Sequence, residues 1–261
     1  MRGARAQRKA LGLQLASAGF PAAAEEARDM IEAARGDPAI LRCWASRRED
    51  GEPLEWLTGF TVFMGHRIRV DRGVYVPRPQ TELIARRAID ALPDDGLAAD
   101  LCTGSGAIAV ALRGGRPDAR VVATDIDPTA CRCAAKNDVE IYQGYLAEPI
   151  PDDLVGTFDV VVAVVPYVPS DEIVFLPRDV QRYEPRAALD GGIDGIQVLE
   201  QAISSGARLL RAGGSLLLEL GGGQDEQLAP AFQAAGFDVV DRLVDDEGDL
   251  RGVQVRLTVH G

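Results

Sequence analysis

Lysine is nearly missing from this 261-residue sequence: Lys9 and Lys136 are the only two. Neither follows a glycine-rich turn in the way that a phosphate-binding lysine follows a nucleoside triphosphate loop. Basic residues are in deficit as a whole, with 28 Lys+Arg against 40 Asp+Glu and a net charge of −12, and the isoelectric point is near 4.7. That balance disfavours a non-specific grip on a phosphate backbone, so no direct nucleic-acid partner is expected. Long apolar runs are also absent. Mean hydropathy is −0.03, and no stretch approaches the ~20 residues that span a bilayer, so no membrane partner is expected. Metal ligands are few: His66 and His260 lie far apart, and Cys43, Cys102, Cys131 and Cys133 show no zinc-ligand spacing, so no metal site is expected. The cysteines read as reduced thiols of a cytoplasmic protein. The basic start Met1-Arg2-Gly3-Ala4-Arg5 leads into a helix containing Gln14 and Ser17, unlike the apolar core of a secretory leader.

What the chain does have is the run Leu97-Ala98-Ala99-Asp100-Leu101-Cys102-Thr103-Gly104-Ser105-Gly106, followed by apolar Ala107-Ile108-Ala109-Val110-Ala111-Leu112. A short strand enters a loop with two glycines and a helix starts at once, the arrangement by which an α/β protein brings backbone close to a nucleotide-like ligand. Glycine at 104 and 106 removes Cβ atoms that would hold a ligand off, and Asp100 at the strand end can accept a hydrogen bond from a cationic amine. The loop is one glycine short of the dinucleotide fingerprint. A nucleoside that carries a charged amino acid therefore fits better than a pyrophosphate. The next strand, Val121-Val122-Ala123-Thr124-Asp125-Ile126-Asp127, places Asp125 about 20 residues beyond the loop, where an acid can bind ribose hydroxyls.

The length suits an α/β domain with a smaller unit beside it. Residues 1–57 carry helical signals around Ala10 to Leu15, Ala22 to Ala34 and Ile40 to Trp44, and are expected to form a small helical domain. Residues 58–76 alternate between glycines as a hairpin linker does, and residues 77–261 form the larger domain. There, helices are expected near 80–92, 105–113, 128–137, 193–211 and 224–236, with strands near 97–101, 121–125, 139–142, 158–164, 215–220, 238–244 and 252–259. No repeat or low-complexity segment occurs.

With these elements in order, further segments become informative. Gly51-Glu52-Pro53-Leu54-Glu55-Trp56-Leu57-Thr58-Gly59, Val76-Pro77-Arg78-Pro79-Gln80-Thr81-Glu82, the run from Tyr183-Glu184-Pro185 to Asp190-Gly191-Gly192-Ile193-Asp194-Gly195, and Glu219-Leu220-Gly221-Gly222-Gly223-Gln224 all stand where motifs are expected. Together they resemble the HemK/PrmC-type protein-(glutamine-N5) methyltransferases, which methylate the glutamine of the Gly-Gly-Gln loop in peptide chain release factors. The resemblance implies a class I S-adenosylmethionine-dependent methyltransferase fold, Rossmann-like, with a seven-stranded, mostly parallel sheet ending in an antiparallel hairpin, behind a helical substrate-docking domain. It also implies S-adenosyl-L-methionine as cofactor and a release factor as partner. Asp100, Gly104 and Gly106 would hold the amino-acid end of the cofactor, Asp125 the ribose, and Tyr145 would lie beside adenine, with Cys102, Thr103 and Ile126 completing the cofactor site. Arg78, Pro79, Thr81 and Glu184 would line the substrate pocket.

Two positions depart from that pattern. The family's Asn-Pro-Pro-Tyr motif, whose asparagine and first proline carbonyl accept hydrogen bonds from the substrate amide, reads Val164-Val165-Pro166-Tyr167 here. Val165 keeps a backbone carbonyl, whereas the Val164 side chain offers no acceptor. In Tyr142-Gln143-Gly144-Tyr145, Tyr145 replaces an acid that binds the adenine amino group, and can offer its ring or its hydroxyl instead. Loss of one preorganised polar contact costs about 2–4 kcal/mol in a transition state. The resemblance thus leaves three readings: a release factor glutamine methyltransferase, a diverged relative acting on a small molecule, and a cofactor-binding protein without turnover. Adenine N6 methylation of nucleic acid shares the motif's logic but is opposed by the acidic charge.

Overall fold

The computed structural model describes residues 2–258. Position 259 of the last expected strand and His260 lie outside the described residues. Four helices come first: α1 (Arg2–Ser17), α2 (Ala23–Ala33), α3 (Pro38–Glu49) and α4 (Leu54–Thr58). Asp37 starts α3 by accepting from the amides of Ala39 at 2.8 Å and Ile40 at 3.3 Å, with Pro38 in the first turn where no amide is needed. Leu11, Leu15, Ala27, Met30, Leu41 and Ala45 close a core of their own among α1–α3. Arg48 clamps this bundle by donating to both oxygens of Glu26 at 2.7 and 3.1 Å.

The hairpin follows as β1 (Phe60–Phe63) and β2 (His66–Arg69), joined by Met64 and Gly65 at φ 48° and 77°. Two left-handed residues match the turn to the twist of the strands. Trp56 ties α4 to the chain beyond the hairpin, its indole Nε1 donating to the Val74 carbonyl at 2.9 Å.

Then come α5 (Thr81–Ala91), β3 (Leu97–Leu101), α6 (Ala107–Gly115), β4 (Arg120–Asp125), α7 (Pro128–Ala135), β5 (Glu140–Gln143) and β6 (Phe158–Ala163). After these the chain forms α8 (Arg178–Tyr183), α9 (Gln197–Leu209), β7 (Leu210–Glu219), α10 (Gln224–Ala234), β8 (Phe237–Val244) and β9 (Leu250–Leu257). The expected seven-stranded sheet is present, in the order β5-β4-β3-β6-β7-β9-β8. The first five of these strands run parallel, and β9 lies antiparallel to both β7 and β8. In β6 the run Val160, Val161, Val162 and Ala163 has no exposed surface. Its alternate residues feed two cores, one with Leu199, Ile203, Leu228 and Phe232 of α9 and α10, the other with Ile84, Ile108 and Leu112 of α5 and α6. A strand covered on both faces reads as a continuous apolar run, not as an alternation.

Two boundaries differ from expectation for local reasons. The helix expected from 193 begins only at Gln197, because Gly192 and Gly195 take left-handed φ of 96° and 74° and keep that stretch a loop. The strand expected from 215 begins at Leu210, which pairs with Phe158 before a register shift, with Gly213 at φ 78° in the irregular stretch. The short α8 was not expected from the sequence.

Candidate active site

Strand order reverses between β3 and β6, and in open α/β sheets ligands bind in the crevice beyond the strand ends at such a point. A cavity of about 670 Å³ lies there, walled by the loops after β3, β4 and β6, and by parts of residues 73–81 and 176–190. Asp100, one residue from the end of β3, is 1% exposed. Its Oδ2 accepts from Thr103 Oγ1 at 2.5 Å and the Ala109 amide at 3.1 Å, while Oδ1 is buried with no partner. Burial pushes its carboxyl up to about 7, although both hydrogen bonds favour the ionised form and Asp125 adds to the rise. A buried carboxylate oxygen left without a donor is costly by itself, and a cationic amine at the cavity mouth would satisfy it.

Asp125 ends β4 and ties the two loops together. Its Oδ2 accepts from the Gly104 amide at 2.9 Å and its Oδ1 from the Asp127 amide at 2.9 Å. Burial raises this carboxyl too, opposed by those two amides. Gly104 is left-handed at φ 58°, and a Cβ there would meet nothing within 4 Å, so the backbone is bare toward the cavity. Gly106 is different. It does not line the cavity, and a Cβ there would stand 2.8 Å from Val139 Cγ2, so this glycine lets α6 pack against the chain after α7. Cys102 lines the cavity with its thiol held protonated, chiefly by burial and then by the charges of Asp125 and Asp100. Ile126, 59% exposed, forms an apolar shelf beside Asp125. The Tyr145 hydroxyl donates to the Gln201 side chain of α9, which leaves its ring as the surface offered to the cavity.

Val164, Val165, Pro166 and Tyr167 line the same cavity, as do Arg78 and Thr81. Pro79 is exposed and does not line it. Glu184 does not line it either, but acts one step back by accepting from Arg78 Nη2. Arg78 in turn stands 5.0 Å over the ring of Tyr75, a cavity wall to which sequence reasoning gave no role. The Tyr167 hydroxyl donates to Glu219 Oε1 at 3.2 Å, at the end of β7, and burial followed by that carboxylate holds the phenol firmly protonated.

The glycine-rich late motifs also have a structural place. Gln224 is 6% exposed. Its Nε2 donates to the Tyr167 carbonyl at 2.9 Å and the Gly195 carbonyl at 3.3 Å, and its Oε1 accepts from the Gly221 amide at 2.7 Å. A Cβ on Gly195 would fall 2.4 Å from the Tyr167 carbonyl oxygen, and one on Gly191 would fall 2.7 Å from Tyr167 Cα. Two segments remote in sequence thus grip the Pro166-Tyr167 loop. The only sequence signal for this was the clustering of glycines, which does not show what they pack against.

No protein-family profile matches the chain. The release factor glutamine methyltransferase of Geobacter sulfurreducens is 37% identical over 76% of this chain and 71% of its own length. That of Cereibacter sphaeroides is 35% identical over 98% of this chain and 99% of its own. A 4-amino-L-phenylalanine/4-methylamino-L-phenylalanine methyltransferase of Streptomyces pristinaespiralis is 38% identical over 76% of this chain and 72% of its own. Among solved structures, a ribosomal protein L11 methylase from Lactobacillus delbrueckii covers 74% of this chain at 20% identity with a TM-score of 0.53, a likeness of fold. The fold is that of the class I S-adenosylmethionine-dependent methyltransferases, and the chain is an enzyme that uses S-adenosyl-L-methionine. The unpartnered Asp100 Oδ1 and the bare backbone at Gly104 suit the ammonium and carboxylate end of that molecule. With the cofactor mouth in place and the likeness to the Cereibacter enzyme running almost end to end, the chain belongs to the release factor glutamine methyltransferase family.

Proposed function

We propose that this chain transfers the methyl group of S-adenosyl-L-methionine to the side-chain amide nitrogen of the glutamine in the Gly-Gly-Gln loop of a peptide chain release factor. The observation that carries the reading is one cavity joining Asp100, with its unpartnered oxygen, to the Val164-Val165-Pro166-Tyr167 loop. S-adenosyl-L-methionine, when bound, supplies a methyl group on a sulfonium that is already an activated leaving group. Asp100 would accept hydrogen bonds from its ammonium, Asp125 would take ribose hydroxyls, and Ile126 and Tyr145 would flank the adenine. The acceptor nitrogen is oriented by backbone carbonyls of the Val164-Val165 segment, since the Val164 side chain has no acceptor. Tyr75 and Tyr167 form the walls against which the glutamine chain packs, and Arg78, fixed by Glu184, borders the entrance.

Helices α1–α3, with a core of their own, dock the release factor as a unit distinct from residues 77–261, with the hairpin of residues 58–76 between them. We place the reaction in the cytoplasm, where a release factor acts; no described helix is long and apolar enough to cross a membrane. A free amino acid needs no docking helices, and the relative with a small-molecule name matches less of this chain than the Cereibacter enzyme does. The test is labelled methyl transfer from S-adenosyl-L-methionine to a folded release factor and, separately, to free 4-amino-L-phenylalanine. Faster transfer to the release factor supports the proposal, and transfer to the amino acid alone overturns it.

A further inference from the structure

Away from the cofactor mouth, a second cavity of about 680 Å³ opens between the hairpin, α6 and the turn that follows α7, and no residue lines both cavities. In a chain of net charge −12, its walls carry Arg67, Arg69, Arg113 and Lys136 against one acid, Asp138. The register of the hairpin explains two of the four. Arg67 faces Val62 and Arg69 faces Phe60 across β1 and β2, while Ile68 between them is fully buried, so both arginines stand on the outer face.

The four cations differ in how they are satisfied. Lys136 Nζ lies 2.6 Å from Asp71 Oδ2. Arg113 donates to the carbonyls of Asn137 and Asp138, which hold it in place without neutralising it. The Arg67 guanidinium stacks 3.6 Å over the Phe60 ring, which fixes its plane and leaves its edge hydrogens free. Among the described residues the Arg69 side chain has no hydrogen bond, ion pair or ring contact. Four cations here meet two acids, Asp138 on the wall and Asp71 on Lys136, and the positive charge left over is unfavourable unless something anionic relieves it. The planar fork of arginine matches phosphate oxygens in pairs, and the cavity falls within the ~300–1,000 Å³ of small-ligand sites.

We propose that this cavity is a second binding site, for a diphosphate-bearing anion, with Arg67 and Arg69 each taking oxygens of one phosphate and Arg113 and Lys136 supplying the surrounding charge. The two guanidiniums sit two residues apart on one strand, about 7 Å between their backbones, a reach that long side chains close onto adjacent phosphates. Either inorganic pyrophosphate or a nucleoside diphosphate carries this group, and the Arg67–Phe60 stack offers a flat surface for the base of the second.

The test is calorimetric titration of the full chain, saturated with S-adenosyl-L-methionine, with pyrophosphate and in a separate run with ADP. The saturating cofactor keeps either probe out of the first cavity. Binding of pyrophosphate that weakens at least tenfold in the Arg67→Gln/Arg69→Gln double variant, with cofactor affinity unchanged, supports the site. The single Arg69→Lys variant, which keeps the charge and loses the fork, should also bind pyrophosphate more weakly. Tighter binding of ADP identifies a nucleotide as the source, and equal binding identifies the free anion. No binding of either probe to the unmodified chain overturns the proposal, as does equal binding by the double variant. Binding of an aspartate-rich peptide with neither phosphate probe overturns it as well.

Discussion

Asp100 carries the clearest functional cost in the molecule: a carboxylate 1% exposed with one oxygen unpartnered. Its folded-state carboxyl is raised from 3.8 to about 7, so between pH ~4 and ~7 the folded chain holds a proton that the unfolded chain has released. Stability of the cofactor-free protein therefore falls across that window as pH rises, and is flat above it. Cofactor binding runs the other way. Affinity for S-adenosyl-L-methionine should rise as Asp100 ionises through pH 7, by up to about tenfold per unit below it. It should decline again once the ligand's α-amino group deprotonates near pH ~8. The Asp100→Asn variant should lose the rising limb, bind about 1.5–3 kcal/mol more weakly, and melt at a higher temperature than the unmodified chain at pH 8 without cofactor. Calorimetry and thermal melts at several pH values check all three. Val164 makes the complementary prediction. With saturating cofactor, Val164→Asn should raise the rate of glutamine methylation by ~10²-fold, the worth of one oriented hydrogen bond. A rate no higher than that of the unmodified chain would show that the backbone carbonyls orient the acceptor fully without a side-chain acceptor at 164. Both residues were legible in the sequence, one by its place at a strand end and the other by its departure from a motif. Tyr75 was not, and although Arg78 and Glu184 were named as pocket residues, their contact and the brace from Gln224 were not, because each joins segments far apart in the chain.

At the scale of elements, strand β3, its glycine loop and α6 could be read directly, because the backbone there is set by its own residues: apolar strand, left-handed Gly104, apolar helix. The loop of residues 190–196 could not. Its helix-like start is overruled by Gly195, whose backbone is pressed against the Tyr167 carbonyl, and only the neighbouring segment explains that. Gln224 at the start of α10 braces the same loop through three hydrogen bonds. Gln224→Ala should lower stability by about 2–4 kcal/mol, at about 1 kcal/mol for each bond and more for the buried carbonyls left unpaired. In the fraction that stays folded it should slow methyl transfer while leaving cofactor affinity unchanged. A matched loss of cofactor affinity would show that the brace supports the whole cavity and not the acceptor loop alone. Denaturant melts and calorimetry on the same variant separate these outcomes.

At the scale of the whole molecule, four hydrophobic clusters among the described residues divide the labour, the three largest lying on each face of the sheet and inside α1–α3. Between the last of these and the sheet stands a small joint of Trp56, Val70, Val74 and Val76, with Glu52 at its rim held by Arg47 at 2.6 Å. Removal of residues 1–49 should therefore keep cofactor binding and lose the release factor, and equal loss of both in a truncated chain that is still folded would refute the docking role. The measurement that bears most directly on the account is a tandem mass spectrum of a release factor incubated with the full chain and S-adenosyl-L-methionine. The account predicts a single added methyl group on the amide of the Gly-Gly-Gln glutamine. An unmodified glutamine, in a sample where calorimetry shows the cofactor bound, would contradict it.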